Sequence, residues 1–410
     1  MSPRAYIANL FAFALSGLAL VAALGLSIDG FGLFGTRLIA ASHFAPNLRL
    51  TVSGDRVTKA IEIAERRDDR VLFVGDSRTQ HGLDPDAPAL TGVKAYNAAL
   101  AGASLREQMV ALDYALAHEP TIKHIVWGLS LEEFPFGIAA SGDYADSPFA
   151  NRSITSGLLR HLFAFDWVAA SAKALLEAPH QVRAPMKRNG VAAFDGVPVE
   201  GPRVGARFEA ELAGSARELR GSLPQAALQD AQSQLARMLA KLKADGMDVD
   251  LVIVPMHVWR LEFFRVIGTE AQHEAWKREL ANTVATLAEA PGDGKIRLFD
   301  FARAHAFTEQ PVLDPLPKSE RRFFLESSHF YPWLGEKILA KLFQSEDANL
   351  DPSFGTELVP ESIDANLASG KSALDAWEAS HARDVGYVKG LIRNGERVRG
   401  RTLADEDPEK

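Results

Sequence analysis

The segment that most constrains the fold is a short apolar run that leads directly into a polar turn. Residues Val71–Val74 are all apolar, and Gly75, Asp76 and Ser77 follow them without a break. Such a run, rich in β-branched and aromatic side chains, is typical of a central strand in a sheet covered on both faces. Gly75 permits a tight turn, and ligands bind at the carboxyl edge of open α/β sheets. We therefore expect Ser77 to face a crevice.

The rest of the chain continues this alternation of strands and helices. Periodicity predicts strands at 71–74, 124–129, 251–254 and 296–300, the last of the sheet, and helices at 57–64 and 105–117. A repeated β-to-α order predicts a parallel sheet, so the expected fold class is α/β. We expect this domain to cover residues 70–345, after a linker and leading helix at 30–69.

Residues 134–224 interrupt this pattern and indicate an insertion over the strand ends. They are richer in Gly and Pro and contain isolated helical segments, including 156–176. The insertion is either a lid that shapes the substrate site or a second helical layer without that role. After the domain, a C-terminal extension at 346–410 is predicted to be helical over 361–394 and disordered from Glu396.

The amino terminus has the length and composition of a membrane anchor. Residues 6–28 form a stretch of 23 residues without a charge, with Arg4 before it and Asp29 after it. Such a stretch can span a bilayer as a helix. The basic residue on the leading side predicts a cytoplasmic amino terminus and a periplasmic main body. A cleaved signal peptide and a buried core helix are the alternatives; we expect an uncleaved single-pass anchor in the inner (plasma) membrane.

The composition excludes several classes of function. The 410-residue chain has no cysteine, so it has no disulfide, thiol nucleophile or cysteine-bound zinc. Its net charge of −8 and the lack of a basic stripe argue against nucleic-acid binding. No histidine pair with a third ligand, calcium loop or phosphate-binding glycine loop is found. We therefore expect neither a metal nor another cofactor.

A histidine near the end of the predicted domain offers a base for Ser77. Glu326 stands three residues before His329. On a loop or a first helical turn, the Glu326 carboxylate can hold the imidazole while the other ring nitrogen takes the Ser77 proton. The alternative is that Glu326 and Ser327 cap a helix and that His329 is a half-buried amphipathic side chain.

Two further segments end at the same predicted edge of the sheet. The first begins as a short strand at Tyr96-Asn97 and ends in small residues, where Gly102 would offer a bare backbone N–H. The second is the strand at 124–129, which ends in a polar turn at Ser130. Serine, glycine and histidine therefore follow successive strand ends along the chain.

This order resembles that of the SGNH, or GDSL-type, hydrolases over about residues 70–345. Gly75-Asp76-Ser77 matches the first motif block of that family, Asn97 with Gly102 the second, and Glu326 with His329 the last. The resemblance implies a parallel-sheet α/β/α sandwich and acyl-ester chemistry. It implies Ser77 as nucleophile, His329 as general base and Glu326 as the third triad member. The backbone N–H groups of Ser77 and Gly102 become the implied oxyanion donors.

Two positions depart from the family pattern. The third block, Gly128-Leu129-Ser130, has no Asn, although the family usually takes an oxyanion donor from an Asn there. Either Asn97 or Ser130 compensates as a donor, or the oxyanion hole is weakened; loss of one donor costs about 100- to 1000-fold in rate. The last block has Glu326 where the family usually has Asp, and the longer side chain requires a slightly displaced backbone.

The candidates for substrate binding are Asp76, Arg78, Ser130 and His257. His257 follows a strand on the same edge and is either a ligand or alternative base, or a structural imidazole that satisfies backbone groups. Asp300, at the end of the predicted last strand, either orients a histidine in place of Glu326 or caps the segment after it.

Two hypotheses of function follow from these residues. In the first, the chain is a membrane-anchored, extracytoplasmic serine acyl esterase or O-acyltransferase, with acetyl as the expected acyl group. Its layout resembles that of membrane-tethered proteins that O-acetylate exported polysaccharides. Its partners would be an acylated envelope carbohydrate or lipid and a membrane protein that donates the acyl group. In the second, the chain is a catalytically weak or inactive binding or assembly subunit of an envelope polysaccharide machine, which the missing Asn favours.

Overall fold

The computed structural model describes residues 2–28, 55–137, 144–145, 147–155, 186–187, 189–192, 203–219, 223–344, 351 and 353–405. Residues 30–50 of the predicted linker segment and the predicted helix at 156–176 lie outside these residues. The chain forms two compact units. The first consists of Met1–Arg67, Asp113–Pro120 and Ala139–Val197, and the second of Asp68–Leu112, Thr121–Ile138 and Pro198–Lys410.

The described part of the chain contains twelve α-helices. They are α1 (Pro3–Ile28), α2 (Asp55–Glu65), α3 (Ser77–Gly82), α4 (Leu105–His118), α5 (Pro148–Asn151), α6 (Arg203–Glu218), α7 (Gln225–Ala244), α8 (Val258–Val266), α9 (Glu270–Ala288), α10 (Pro332–Leu342), α11 (Ile363–Ser380) and α12 (Ala382–Asp405). Both helices predicted in the first part of the chain, at 57–64 and 105–117, are present as α2 and α4.

Six strands form one sheet in the second unit. They are β1 (Val71–Val74), β2 (Ala95–Asn97), β3 (His124–Leu129), β4 (Asp248–Ile253), β5 (Ile296–Asp300) and β6 (Thr356–Glu357). Their order across the sheet is β2-β1-β3-β4-β5-β6. The first five are parallel, and β6 is antiparallel to β5. The predicted α/β class with a mostly parallel sheet is confirmed.

Burial explains why the apolar runs become strands. All four residues of β1 are buried, as are the last five of β3. β4 begins three residues before the predicted strand at 251–254, and it contains a buried carboxylate, Asp250. Its oxygens accept from Arg297 Nε at 2.7 Å and lie 2.8 Å from His124 Nε2. Because these partners come from neighbouring strands, a search for apolar runs misses the first half of β4.

The C-terminal extension differs from its prediction. The strand at 296–300 is not the last of the sheet, because β6 pairs with its end. Two helices, α11 and α12, lie where one was predicted at 361–394, and α12 continues beyond Glu396 to Asp405. The predicted disorder therefore does not begin at Glu396, and residues 406–410 lie outside the described part of the chain.

The first unit contains the apolar N-terminal helix. The stretch Pro3–Leu24 of α1 has a mean hydropathy of 2.2, and none of its most apolar window is buried. α1 is therefore long and apolar enough to cross a membrane.

The strand order determines where a ligand can bind in the second unit. The chain passes from β1 to β2 on one side and then to β3 on the other. Connections that leave on opposite sides of a strand open a crevice at the carboxyl ends of the two strands, here β1 and β3. Ser77 begins α3 directly after β1, so it lies at this crevice.

Candidate active site

Ser77 is the first residue of α3, and the residue before it caps the helix. The Asp76 carboxylate accepts a hydrogen bond from the Arg78 N–H at 2.8 Å. This bond satisfies one of the backbone donors that a helix leaves open in its first turn. The Ser77 side chain therefore stands on a fixed turn at the edge of the sheet.

Two glycines allow this turn to pack closely on the sheet. A Cβ on Gly75 would lie 2.2 Å from Thr79 Oγ1, and a Cβ on Gly128 would lie 2.0 Å from the same atom. Thr79 is fully buried. Only glycine at both positions, near the ends of β1 and β3, leaves room for the first turn of α3. This packing is the physical reason for the glycine in Gly-Asp-Ser.

His329 lies against Ser77 although the two residues are 252 positions apart. The Ser77 hydroxyl is 2.7 Å from His329 Nε2. On the other side of the ring, Nδ1 bonds to a Glu326 carboxylate oxygen. With Nδ1 as the donor to Glu326, Nε2 is free to accept the hydroxyl proton. The serine, the base and the carboxylate are therefore connected in the predicted order.

The loop around Glu326 accommodates a glutamate in place of the shorter aspartate. The Leu325 N–H bonds to the His329 carbonyl at 2.9 Å, which closes the loop into a tight turn. Inside it, the Glu326 carboxylate accepts the N–H groups of Ser328 at 2.9 Å and of His329 at 2.8 Å. The Glu326 side chain folds back onto its own loop, and this curled conformation accommodates the methylene group that aspartate lacks.

The surroundings lower the pKa of Glu326 and raise the pKa of His329. Burial alone would raise the pKa of Glu326, but His329 and the two loop amides lower it to about 2. Burial opposes charge on His329 as well, yet Glu326 raises the pKa of the imidazole above its usual value of 6.5. The carboxylate therefore stays ionised, and its negative charge favours the imidazolium form of His329.

The predicted oxyanion donors include two backbone amides, those of Ser77 and Gly102. Neither the Ser77 N–H nor the Gly102 N–H donates a hydrogen bond to any residue that the structure describes. Gly102 is exposed and has a φ of +65°. That conformation favours glycine.

The prediction that Asn97 donates to the oxyanion is wrong. Its amide group donates to the carbonyls of Thr79 at 2.9 Å and Leu83 at 2.8 Å, and its Oδ1 accepts from the Ala99 N–H at 3.0 Å. Both amide hydrogens are used within the protein, and the side chain is fully buried. Asn97 ties β2 to α3, which is a structural role.

Ser130 does not replace the missing Asn either. Its hydroxyl donates to Glu133 at 2.7 Å and accepts from Arg78 at 2.6 Å. Arg78 in turn bonds to Asp76 at 2.8 Å, and all three predicted ligands, Asp76, Arg78 and Ser130, are buried. Their polar groups bond to one another in the interior, so the predicted contact with substrate is wrong for these residues.

His257 has the structural role that was the alternative to substrate binding. Its Nε2 donates to the Gln310 carbonyl at 2.8 Å, and its Nδ1 accepts the Trp259 N–H at 3.2 Å. Burial lowers its pKa to about 3, so the ring is neutral. With both ring nitrogens engaged, His257 has none left for a ligand or for Ser77.

Asp300 caps the chain after β5 and does not orient a histidine. Its Oδ1 accepts the Ala302 N–H at 2.9 Å, and its Oδ2 accepts from Lys277 at 2.7 Å. Within the described residues, no cluster of three or more His, Asp or Glu side chains has the arrangement of a metal site.

Sequence reasoning missed a set of charged residues near the triad, three of which are buried and one of which, Glu211, is half-buried. Their members are Glu132 and Glu133 after β3, Arg260 at the start of α8, and Glu211 on α6. Burial and the nearby Asp76 raise the pKa of Glu133 well above its usual range. Glu211 belongs to the predicted insertion, and its carboxylate bonds to Ser327 beside the His329 loop. The available signal was that polar residues follow β3 and β4 at the same sheet edge.

Comparisons of this chain with protein-family models, with curated proteins and with solved structures found no match.

Proposed function

We propose that this protein is a serine acyl esterase or O-acyltransferase of the SGNH type. The observation that carries the proposal is the contact of 2.7 Å between Ser77 Oγ and His329 Nε2, with Glu326 on the opposite ring nitrogen. The two open amides of Ser77 and Gly102 support it. The order of the motifs and the parallel sheet are compatible with the α/β/α sandwich of that family.

In this mechanism, Ser77 Oγ attacks the carbonyl carbon of an ester while His329 Nε2 takes the hydroxyl proton. The negative charge that develops on the carbonyl oxygen is accepted by the Ser77 and Gly102 amides. His329 then returns the proton to the departing alcohol, which leaves an acyl group on Ser77. Water or an acceptor hydroxyl attacks this acyl-enzyme, again through His329, and frees the serine.

The substrate class of the proposal comes from the membrane helix and from the resemblance to envelope-modifying proteins. α1 would hold the protein in the plasma membrane with the body in the periplasm, facing envelope polysaccharide or lipid. An acyl group, expected to be acetyl, would arrive from the substrate or from a membrane donor protein. Hydrolysis and transfer differ only in the nucleophile that reaches the acyl-enzyme.

A second function is favoured by the missing side-chain donor. Because Asn97 and Ser130 are both bonded internally, no side-chain amide or hydroxyl from these two predicted positions reaches the oxyanion. Loss of one donor costs about 100- to 1000-fold in rate. A weak or inactive member would serve as a binding or assembly subunit of an envelope polysaccharide machine.

The experiment that separates these functions is a search for the acyl-enzyme. The full-length protein in detergent is mixed with an activated acetyl ester, and its intact mass is followed with time. We expect one acetyl group per chain in the wild type and none in Ser77→Ala. Ser233→Ala, which removes an exposed serine on α7, should label like the wild type. Labelling that persists in Ser77→Ala, or is lost equally in both variants, would reject the nucleophile.

A further inference from the structure

A continuous chain of buried and half-buried bonds connects Asp76, the residue before Ser77, to the His329 loop. Asp76, directly before Ser77, binds Arg78 at 2.8 Å. Arg78 binds one oxygen of Glu132, and Arg260 binds the other. The members of this chain, which we call the back chain, are Asp76, Arg78, Glu132, Arg260, Glu211 and Ser327.

The second half of the back chain reaches the loop that carries His329. Arg260 Nη1 donates to Glu211 Oε1 at 2.6 Å. The other Glu211 oxygen accepts the hydroxyl of Ser327, which is fully buried and lies two residues before His329. Ser215 supports the same carboxylate from the next turn of α6 at 3.0 Å.

Front and back together form a closed ring. In front, Ser77 and His329 meet through a single hydrogen bond. Behind, five side-chain bonds connect the residue before Ser77 to the residue two before His329. The ring draws on the α3 turn, the segment after β3, α8, α6 and the His329 loop. Each of these is far from the others in sequence, so the ring is a tertiary constraint on the distance between nucleophile and base.

Ion pairs between arginine and glutamate side chains hold the back chain together. Arg260 is only 3% exposed, and it neutralises Glu132, whose pKa it lowers together with Arg78 against the effect of burial. Burial raises the pKa of Glu211, and Arg260 partly opposes that rise. A buried ion pair that loses one partner leaves an uncompensated charge, so these bonds do not open easily.

We propose that Glu211 and Arg260 are positioning residues that hold the His329 loop at bonding distance from Ser77. This inference rests on the proposed function, because it assumes that the Ser77–His329 contact performs chemistry. A misplacement of about 1 Å far from the reacting atoms can cost on the order of 100-fold in rate. The helix α6, part of the predicted insertion, would thereby control the base without contact with substrate.

The test compares Glu211→Ala with Glu211→Gln in the full-length protein. Alanine removes the acceptors of both Arg260 and Ser327, whereas glutamine keeps one oxygen for Arg260 and an N–H group that the Ser327 hydroxyl can accept. We expect Ser77 acetylation to slow about 10- to 100-fold in Glu211→Ala and to stay within about threefold of the wild type in Glu211→Gln. The loss should appear in kcat with little change in KM, because no substrate contact is removed. The acid limb of the pH profile should shift in Glu211→Ala only.

Two further variants separate positioning from general stability. Asp250→Asn removes the buried β4 carboxylate that binds Arg297 on β5, and both residues lie outside the ring. We expect it to lower the melting temperature without changing the acylation rate or the pH profile. Where Glu211→Ala does not fold, Ser327→Ala removes one hydroxyl from the back chain and should still slow acylation about threefold or more. Rates in Glu211→Ala and Ser327→Ala that equal those of Asp250→Asn would overturn the proposal.

An NMR titration of His329 keeps this result independent of the proposed function. The imidazole pKa reports its contacts with Glu326 and Ser77 whether or not acyl transfer occurs. We expect Glu211→Ala to shift it and Asp250→Asn to leave it unchanged. If the wild type forms no acyl-enzyme, the proposed function fails while this shift still supports positioning. If acylation occurs but the His329 titration is identical in all variants, positioning fails alone.

Discussion

At the scale of single residues, the polar groups around the triad divide into those that remain open and those that the protein uses itself. The amides of Ser77 and Gly102 are open, and the Ser77 hydroxyl points at His329. Asn97 and Ser130 had the right chemistry for an oxyanion donor, but each is bonded to its own surroundings. The site has the serine, imidazole and carboxylate that the proposed acyl transfer requires, with fewer oxyanion donors than the family pattern implies.

The ionisation of His329 gives a testable pH dependence. His329 must be neutral to accept the Ser77 proton, and Glu326 raises its pKa against the effects of burial and Arg78. We therefore expect kcat/KM for an activated ester to fall as the pH drops, with an apparent pKa above the usual 6.5. In Glu326→Gln the acid limb should move to lower pH, and the plateau rate should fall roughly 100- to 10,000-fold.

A pH–rate profile of both proteins measures these effects. The Asp76 charge also raises the pKa of His329, but less than burial lowers it, so the apparent pKa in the variant should fall below the usual 6.5. An unchanged apparent pKa in Glu326→Gln would show that this carboxylate does not control the imidazole.

The sequence predicted the contact between Ser77, His329 and Glu326, but not the buried hydrogen bonds and ion pairs around them. Ser77, Glu326 and His329 stand in short motifs whose spacing along the chain carries the signal. The hydrogen bonds of Asn97 and Ser130 depend on partners that other elements supply, such as Leu83 and Arg78. The Arg260–Glu132 pair joins residues 128 positions apart. No local pattern contains such pairs, so they become visible only after the chain has folded.

At the scale of elements, the distance between Ser77 and His329 also depends on how α3 packs on α10. α10 begins three residues after His329, and its Gly335 lies against the end of α3. A Cβ on Gly335 would lie 1.8 Å from the Gly82 carbonyl oxygen. Because backbone cannot yield as a flexible side chain does, a methyl group there must push the two helices apart.

We expect Gly335→Ala to lower the free energy of unfolding by about 1–3 kcal/mol and to slow Ser77 acylation. Urea unfolding and the rate of acyl-enzyme formation measure the two effects. Gly370→Ala in α11 is the matched control, since a Cβ there meets no atom within 4 Å. Alanine is a better helix former than glycine, so the control should be neutral or more stable. Equal stability and equal rates for the two variants would contradict the role of the close packing.

The elements themselves were predicted where apolar runs are continuous. β1 and β3 were found with their bounds, since their side chains are buried on both faces. β4 was found only in part because of Asp250, and β6 was missed because two residues carry no periodicity. Disorder was predicted from Glu396 because the segment is highly charged. A high charge indicates exposure to solvent but does not prevent a helix, and α12 continues to Asp405.

At the scale of the whole molecule, α1 decides where the chemistry would take place. Most of its side chains are apolar and exposed, and the hydrocarbon core of a bilayer would cover them. We expect the protein to resist alkaline carbonate extraction from membranes and to keep its full mass, with α1 uncleaved. Protease added to the periplasmic side should digest the body.

Three results would contradict this topology. Release of the protein by carbonate would exclude the anchor. A shortened mature amino terminus would favour the signal peptide, and protection of the body from periplasmic protease would place it in the cytoplasm. Replacing Leu15 and Leu18 by Arg, in the middle of α1, should abolish membrane retention if the helix is what holds the protein.

The most direct test of the account is to map the acyl group on the full-length protein. The reaction with an activated acetyl ester is quenched by acid during turnover, and the digested peptides are analysed by mass spectrometry. We predict acetyl on the peptide that contains Ser77 in the wild type, and no acetyl on that peptide in His329→Ala at the same time point. Acetylation of Ser77 at equal rates in both proteins, or its absence from the wild type while other serines are labelled, would contradict the proposed triad.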